Sequence, residues 1–283
     1  MVEKMKAIIK RTLKIYSEND LGVYAGNATL FIITAVFPML VLIIAIVNML
    51  PGYSPKDVTE FLFQFLPDLS SIKTLVNGMV SNLQSQSSGL LASVAALTTL
   101  WSASAGITAM QKGLKKLSDV PASSIKDKLW ALLFTVLYVI LIPAILVFQV
   151  LQDSIISIAG SITAKIGLEN MVDQIATIMK VSNVVTIVLA FLVLLLTYTY
   201  LPGQKRTLKQ HIPGTLFLGV MFVVFTKLFS IFIPRFYNSS GLYGSLASLF
   251  LALLWLRFVL MILFLGGALN TALAERKLNE NRI

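Results

Sequence analysis

Apolar residues gather in six stretches separated by polar connections, at about 28–50, 90–110, 129–151, 181–200, 213–233 and 243–265. A helix that crosses a bilayer needs about 20 consecutive, mostly apolar residues. The pattern therefore predicts an all-α integral membrane bundle of six transmembrane helices. Pro38 and Pro143 fall inside the first and third stretches, where each frees a carbonyl and kinks its helix. Two longer connections, 51–89 and 152–180, carry helical periodicity of their own. Ile72, Leu75, Val76, Met79 and Leu83 recur at helix spacing. Phe61, Leu62, Phe65 and Leu66 form a shorter stripe ended by Pro67, and Ile155, Ile158, Ile162 and Ile166 form a third. These connections are expected to be partly helical, as amphipathic helices on the outer face. No short repeat or low-complexity linker divides the chain, so 1–283 is read as one membrane domain.

The first twenty residues interleave Lys4, Lys6, Lys10, Arg11 and Lys14 with Met5, Ile8, Ile9, Leu13 and Ile15. No short apolar core with a small-residue cleavage site follows, which is unlike a signal peptide. Two readings stand: an amphipathic helix lying on an anionic leaflet, or a solvated basic helix.

Composition narrows the function classes. Hydrophobic residues make up 57% and charged residues 13%, about half the charge of a soluble domain. Mean hydropathy is +0.83. Cysteine is absent and histidine occurs once, at His211, so thiolate and multi-histidine metal sites are excluded. No Gly-rich phosphate loop or carboxylate pair suited to acid–base work is present. His211, in a basic turn beside Pro213, reads as a residue of the lipid surface rather than a general base. Neither an enzyme nor a cofactor is expected.

The formal charge of +10 is unevenly spread. The arm 1–20, the connection with Lys112, Lys115, Lys116, Lys126 and Lys128, the turn with Lys205, Arg206 and Lys209, and the tail 271–283 together carry sixteen lysines and arginines. The opposite connections carry five: Lys56, Lys73, Lys165, Lys180 and Arg235. The positive-inside rule then places both termini of this multi-pass chain in the cytoplasm. The asymmetry reports topology and membrane lipid, not nucleic acid. It assigns no oligomeric state.

Lys227 and Arg257 are the cations inside predicted spans. A charge at the bilayer centre costs roughly 2.5–3.5 kcal/mol on insertion scales. No Asp or Glu lies in the core of a span; Asp153, at the outer end of the third, is nearest. An unpaired cation pair favours an anion, such as a lipid headgroup, in a shared internal cavity; the alternative is snorkelling to an interface. Asn27, Thr34, Ser102, Ser104, Tyr200 and Ser230 are candidate cavity-lining residues, with Thr29, Asn48, Thr108 and Tyr198 near the same path. Each also suits plain helix packing.

The order of motifs resembles the YihY/BrkB family of bacterial inner-membrane proteins. Ala28-Thr29-Leu30-Phe31 with Phe37-Pro38 is similar to its first span, and Leu100-Trp101-Ser102-Ala103-Ser104-Ala105-Gly106 to its second. Tyr200-Leu201-Pro202 followed by Pro213-Gly214-Thr215 matches its turn into the fifth span. Leu242-Tyr243-Gly244, Leu254-Trp255-Leu256 and Gly266-Gly267-Ala268-Leu269-Asn270 resemble its last. Ala268 stands where the family often has a glutamate, and Arg257 where it commonly has an aromatic residue. The resemblance implies six spans, a place in the bacterial inner membrane and a role linked to transport or envelope integrity; a ribonuclease label travels with the family, but loops rich in lysine do not support it. The expected function is a transporter or translocation protein for an anionic amphiphile such as a phospholipid. The alternatives are a cation/proton antiporter, disfavoured by the missing carboxylate, and a non-transporting scaffold for envelope assembly.

Single cysteines at Ser85 and at Ser123 are expected to react with an impermeant reagent from opposite faces of intact cells. Labelling of both from outside overturns this topology.

Overall fold

The computed structural model describes residues 2–48, 89–117, 125–142, 144–145, 169–204, 206–237 and 244–280. Among the described residues every regular element is helical, and there are seven helices. They are α1 (Val2–Glu18), α2 (Leu21–Asn48), α3 (Gly89–Lys116), α4 (125–142), α5 (Glu169–Tyr200), α6 (Leu208–Tyr237) and α7 (Gly244–Glu280). Two segments are long and apolar enough to cross a membrane, Leu208–Phe232 in α6 and Phe250–Leu278 in α7. Leu21–Val36 and Val184–Tyr200 are shorter apolar helices. Of the outer connections predicted at 51–89 and 152–180, residues 51–88 and 152–168, with Asp153, lie outside the described residues, as does Pro143.

Several boundaries differ from those drawn by hydropathy. Helix α3 continues past Met110 to Lys116, so Lys112, Lys115 and Lys116 are helical rather than loop residues. Helix α5 begins at Glu169, so 169–180 belongs to the same helix as the fourth apolar stretch. Helix α7 runs through the expected tail to Glu280. At about 1.5 Å per residue its 37 residues extend some 55 Å, well beyond a hydrocarbon core of about 30 Å. Hydropathy marks where apolar residues stop, whereas a helix stops only where its backbone bonds are lost or capped. The start of α6 shows such a cap: the Thr207 backbone N–H donates to Gln210 Oε1, at 3.2 Å, in a Thr-x-x-Gln arrangement.

The helices meet through small residues. Gly214 of α6 faces Gly266 of α7, and a Cβ on Gly214 would run into the Gly266 carbonyl oxygen and the Asn270 side chain. His211 beside Asn270, Gly214 beside Gly266 and Phe229 clustered with Leu251 show that the two helices run antiparallel. Gly113 of α3 opens a slot for Phe264, which is fully buried; a Cβ there would sit 2.5 Å from the ring. Gly106 admits Ile32 of α2 in the same way. Around these contacts Leu21, Ala25, Ala28, Met110, Leu114, Phe134, Tyr198, Leu260 and Ala268 complete the core.

Buried threonines satisfy themselves. Thr29, Thr99, Thr135, Thr197 and Thr199 each donate their hydroxyl to the carbonyl four residues earlier. The outer surface is the reverse of a soluble protein's: Val184, Val185, Ile187, Val188, Leu216, Val220, Leu228 and Ile231 are exposed.

The first and last helices are joined by a two-pronged ion pair. Arg11 Nε and Nη2 donate to the two carboxylate oxygens of Glu275 at 2.8 and 3.0 Å. This contact brings the N-terminal helix to the C-terminal end of α7.

Gly214→Ala is expected to destabilise the folded protein by about 1–3 kcal/mol, the usual cost of overpacking, because backbone and not a flexible side chain must move. The check is the thermal midpoint in detergent. An unchanged midpoint would show that α6 and α7 do not make this backbone approach.

Candidate functional site

Small residues leave a hollow between α2 and α3. Tyr24, Asn27 and Phe31 repeat at steps of three and four along α2. Trp101, Ser104, Ala105, Thr108, Ala109 and Lys112 do the same along α3. Such spacing puts each set on one helix face. Together they line a groove of about 440 Å³. Gly113 packs level with Tyr24 and Gly106 level with Ile32, so the helices are antiparallel here too. Lys112 therefore lies at the Tyr24 end of the groove and Trp101 beyond Phe31 at the other. The rise from Trp101 to Lys112 is roughly 16 Å. Trp101 is 83% exposed, so the groove opens sideways at its aromatic end. Asn27, Ser104 and Thr108 supply polar groups between the two ends.

Beneath Lys112 is a buried polar layer. Lys115, one turn on, is buried and paired with Asp127 of α4. Gln111 Nε2 donates to the Asp127 carbonyl at 2.8 Å and to the Leu201 carbonyl at 2.9 Å. The layer continues through Gln204, His211 and Asn270. Asn270 Oδ1 accepts the Gly214 N–H at 2.7 Å, and Thr271 Oγ1 accepts from Arg206 and donates to the Leu117 carbonyl. Lys115 is thus committed to Asp127, whereas Lys112 is exposed and carries no ion pair among the described residues. Among the described residues no group of His, Asp and Glu could hold a metal ion.

Asn27 and Ser104, predicted as cavity-lining, both line the groove, with Thr108. The others lie elsewhere. Thr34 is exposed and bonds the Phe31 carbonyl. Ser102 is half-buried and Ser230 exposed. Tyr200 stacks on Trp130 at 5.5 Å, and Tyr198 is buried, donating to the Leu263 carbonyl. Asn48 ends α2, and Thr29 is in the core.

Lys227 and Arg257 are both exposed and neither lines the groove. Lys227 lies two residues from Phe225 and Phe229, which pack towards α7, and so points roughly opposite to them. Arg257 is felt by Tyr16 of α1: burial raises the phenol's pKa, and the guanidinium opposes that rise. Thr226 Oγ1 and Trp255 Nε1, neighbours of these cations in sequence, are buried without a hydrogen-bond partner among the described residues.

His211 corrects the sequence reading. It is not a lipid-surface residue but is fully buried in α6, stacked against Tyr198 and flanked by Gln204 and Asn270. Lys209 is exposed, whereas Arg206 bonds Thr271 of α7 and the His211 face itself meets Asn270. Lys112 was counted as a loop charge. The signal that reveals it is the three-and-four spacing from Trp101.

A Bacillus subtilis protein named ribonuclease-like protein YfkH is 25% identical over 274 residues, covering 96% of each chain. A UPF0761 membrane protein of Haemophilus influenzae is 24% identical over 93% of each. Another, from Mannheimia succiniciproducens, is 23% identical over 97% of this chain and 94% of its own. No solved structure matches. The family model described as Virulence factor BrkB matches residues 12–283, and the chain belongs to that family of membrane proteins.

Proposed function

We propose that the protein is a six-span inner-membrane protein, with both termini cytoplasmic, that binds and translocates an anionic amphiphile of the phospholipid class along the α2–α3 groove. The observation that carries this reading is the groove's polarity. It has a cation at one end, amide and hydroxyl groups in the middle and aromatic surface at the open end. An anionic headgroup would pair with Lys112 and bond Asn27, Ser104 and Thr108. Its acyl chains would lie along Phe31 and Trp101 and leave through the side of the bundle. Polar positions over roughly 16 Å shorten the hydrocarbon path a headgroup faces, since the whole core is about 30 Å thick.

Lys227 and Arg257 enter this proposal as further lipid-facing cations, each contacting a headgroup on its own helix face. A cation/proton antiporter needs a carboxylate free to titrate within the membrane. Asp127 is held by Lys115, so the antiporter reading gains no support from it.

The test is lipid mass spectrometry on gently purified protein, with lipid scrambling in proteoliposomes. A hydrogen bond to a charged group contributes about 1.5–3 kcal/mol. Lys112→Gln is therefore expected to cut retained anionic lipid by about tenfold or more, with zwitterionic lipid unchanged. Ser104→Phe, which fills the groove, is expected to slow headgroup movement in a protein that still melts cooperatively. Lys227→Gln and Arg257→Gln each remove a smaller share. Equal retention and equal scrambling by wild type and Lys112→Gln would sink the groove as a lipid path.

A further inference from the structure

Helix α1 presents three faces of different character. Ile8, Thr12 and Ile15 turn inward, with Thr12 and Ile15 buried, and Arg11 is bound to Glu275. A second face shows Met5, Ile9 and Leu13, each more than half exposed and spaced by four residues. The third follows one residue behind: Lys6, Lys10 and Lys14, all exposed. Lys14 pairs with Glu18 at 3.6 Å, while Lys6 and Lys10 carry no ion pair among the described residues.

We propose that α1 docks on the anionic membrane surface at the end of the bundle that carries both termini. Met5, Ile9 and Leu13 enter the boundary between headgroups and acyl chains, and Lys6 and Lys10 pair with anionic headgroups. Charge complementarity selects this occupant. An apolar stripe edged by a regular row of lysines matches a surface that is apolar below and negative above. A second copy of the chain would oppose its own lysines there. The Arg11–Glu275 pair holds the helix at a fixed rotation, so the apolar stripe is presented to one side. This inference concerns a surface separate from the α2–α3 groove and does not rest on the groove's role.

The chain has no native cysteine, so a single introduced one is labelled uniquely. Full-length Ile9→Cys, carrying an environment-sensitive dye, is placed in nanodiscs at one copy per disc. In discs of mixed phosphatidylglycerol and phosphatidylcholine the dye is expected to be blue-shifted, quenched by brominated acyl chains and shielded from iodide. Pure phosphatidylcholine, or Lys6→Gln with Lys10→Gln in the mixed discs, is expected to expose it to iodide. The same dye at Leu13→Cys repeats the measurement should Ile9→Cys fold poorly. Iodide access in both lipid mixtures overturns the proposal. So does shielding indifferent to headgroup charge, which would mark a protein contact. Lys112→Gln is expected to leave the signal unchanged, so the two readings fail separately.

Discussion

A helix surrounded by hydrocarbon gains almost nothing by hiding its apolar side chains, because the lipid is as apolar as they are. Everything that holds this bundle together must come from close packing and from polar groups that lose their partners on separation. That constraint explains why glycines occupy the tightest crossings. Gly214 against Gly266, and Gly113 beneath Phe264, bring backbones and rings into contact that any side chain would block. Dispersion summed over such contacts is the attraction left once hydration is removed.

The same constraint sorts the polar groups. Those that leave water must be satisfied, and here they are collected at the end of the bundle where Lys115, Asp127, Gln111, Arg206, His211 and Asn270 bond one another and the chain's carbonyls. The layer fixes α3, α4, α6 and α7 in rotation. Along α3, Ser104 and Thr108 continue the stripe of Gln111 and Lys115 at helix spacing, so one face of that helix supplies both the pinned layer at its end and polar groups in the middle of the groove.

Hydropathy made the helical character and the placement of most helices readable, since apolar run length is a one-dimensional quantity. The family was readable as well, because its motifs, such as Leu100-Trp101-Ser102 and Gly266-Gly267-Ala268, mark helix crossings or the groove. Boundaries were less so. Helix α3 outlasts its apolar run because Gln111, Lys112, Lys115 and Lys116 are good helix formers as well as polar residues. The groove was half legible. Asn27, Ser104 and Thr108 stood out as polar residues in apolar surroundings, whereas Lys112 was hidden by its place among loop-like charges. His211 was misplaced because its decisive neighbour, Asn270, is 59 positions away. Pairings of that kind are set by which faces meet, and one sequence does not show them.

The ion pair between Arg11 and Glu275 joins residues 264 positions apart. In terms of synthesis, the first helix is made long before its partner exists. At about 5–20 residues per second the interval is roughly 10–50 s. Throughout it Thr12 and Ile15 lack the helix that will cover them. Biogenesis of this protein therefore has a late closing step, in which the oldest part of the chain is locked by the newest. A ribosome that stops short of Glu275 leaves a bundle whose first helix is unfastened, a ready mark by which quality control could tell an unfinished chain from a finished one.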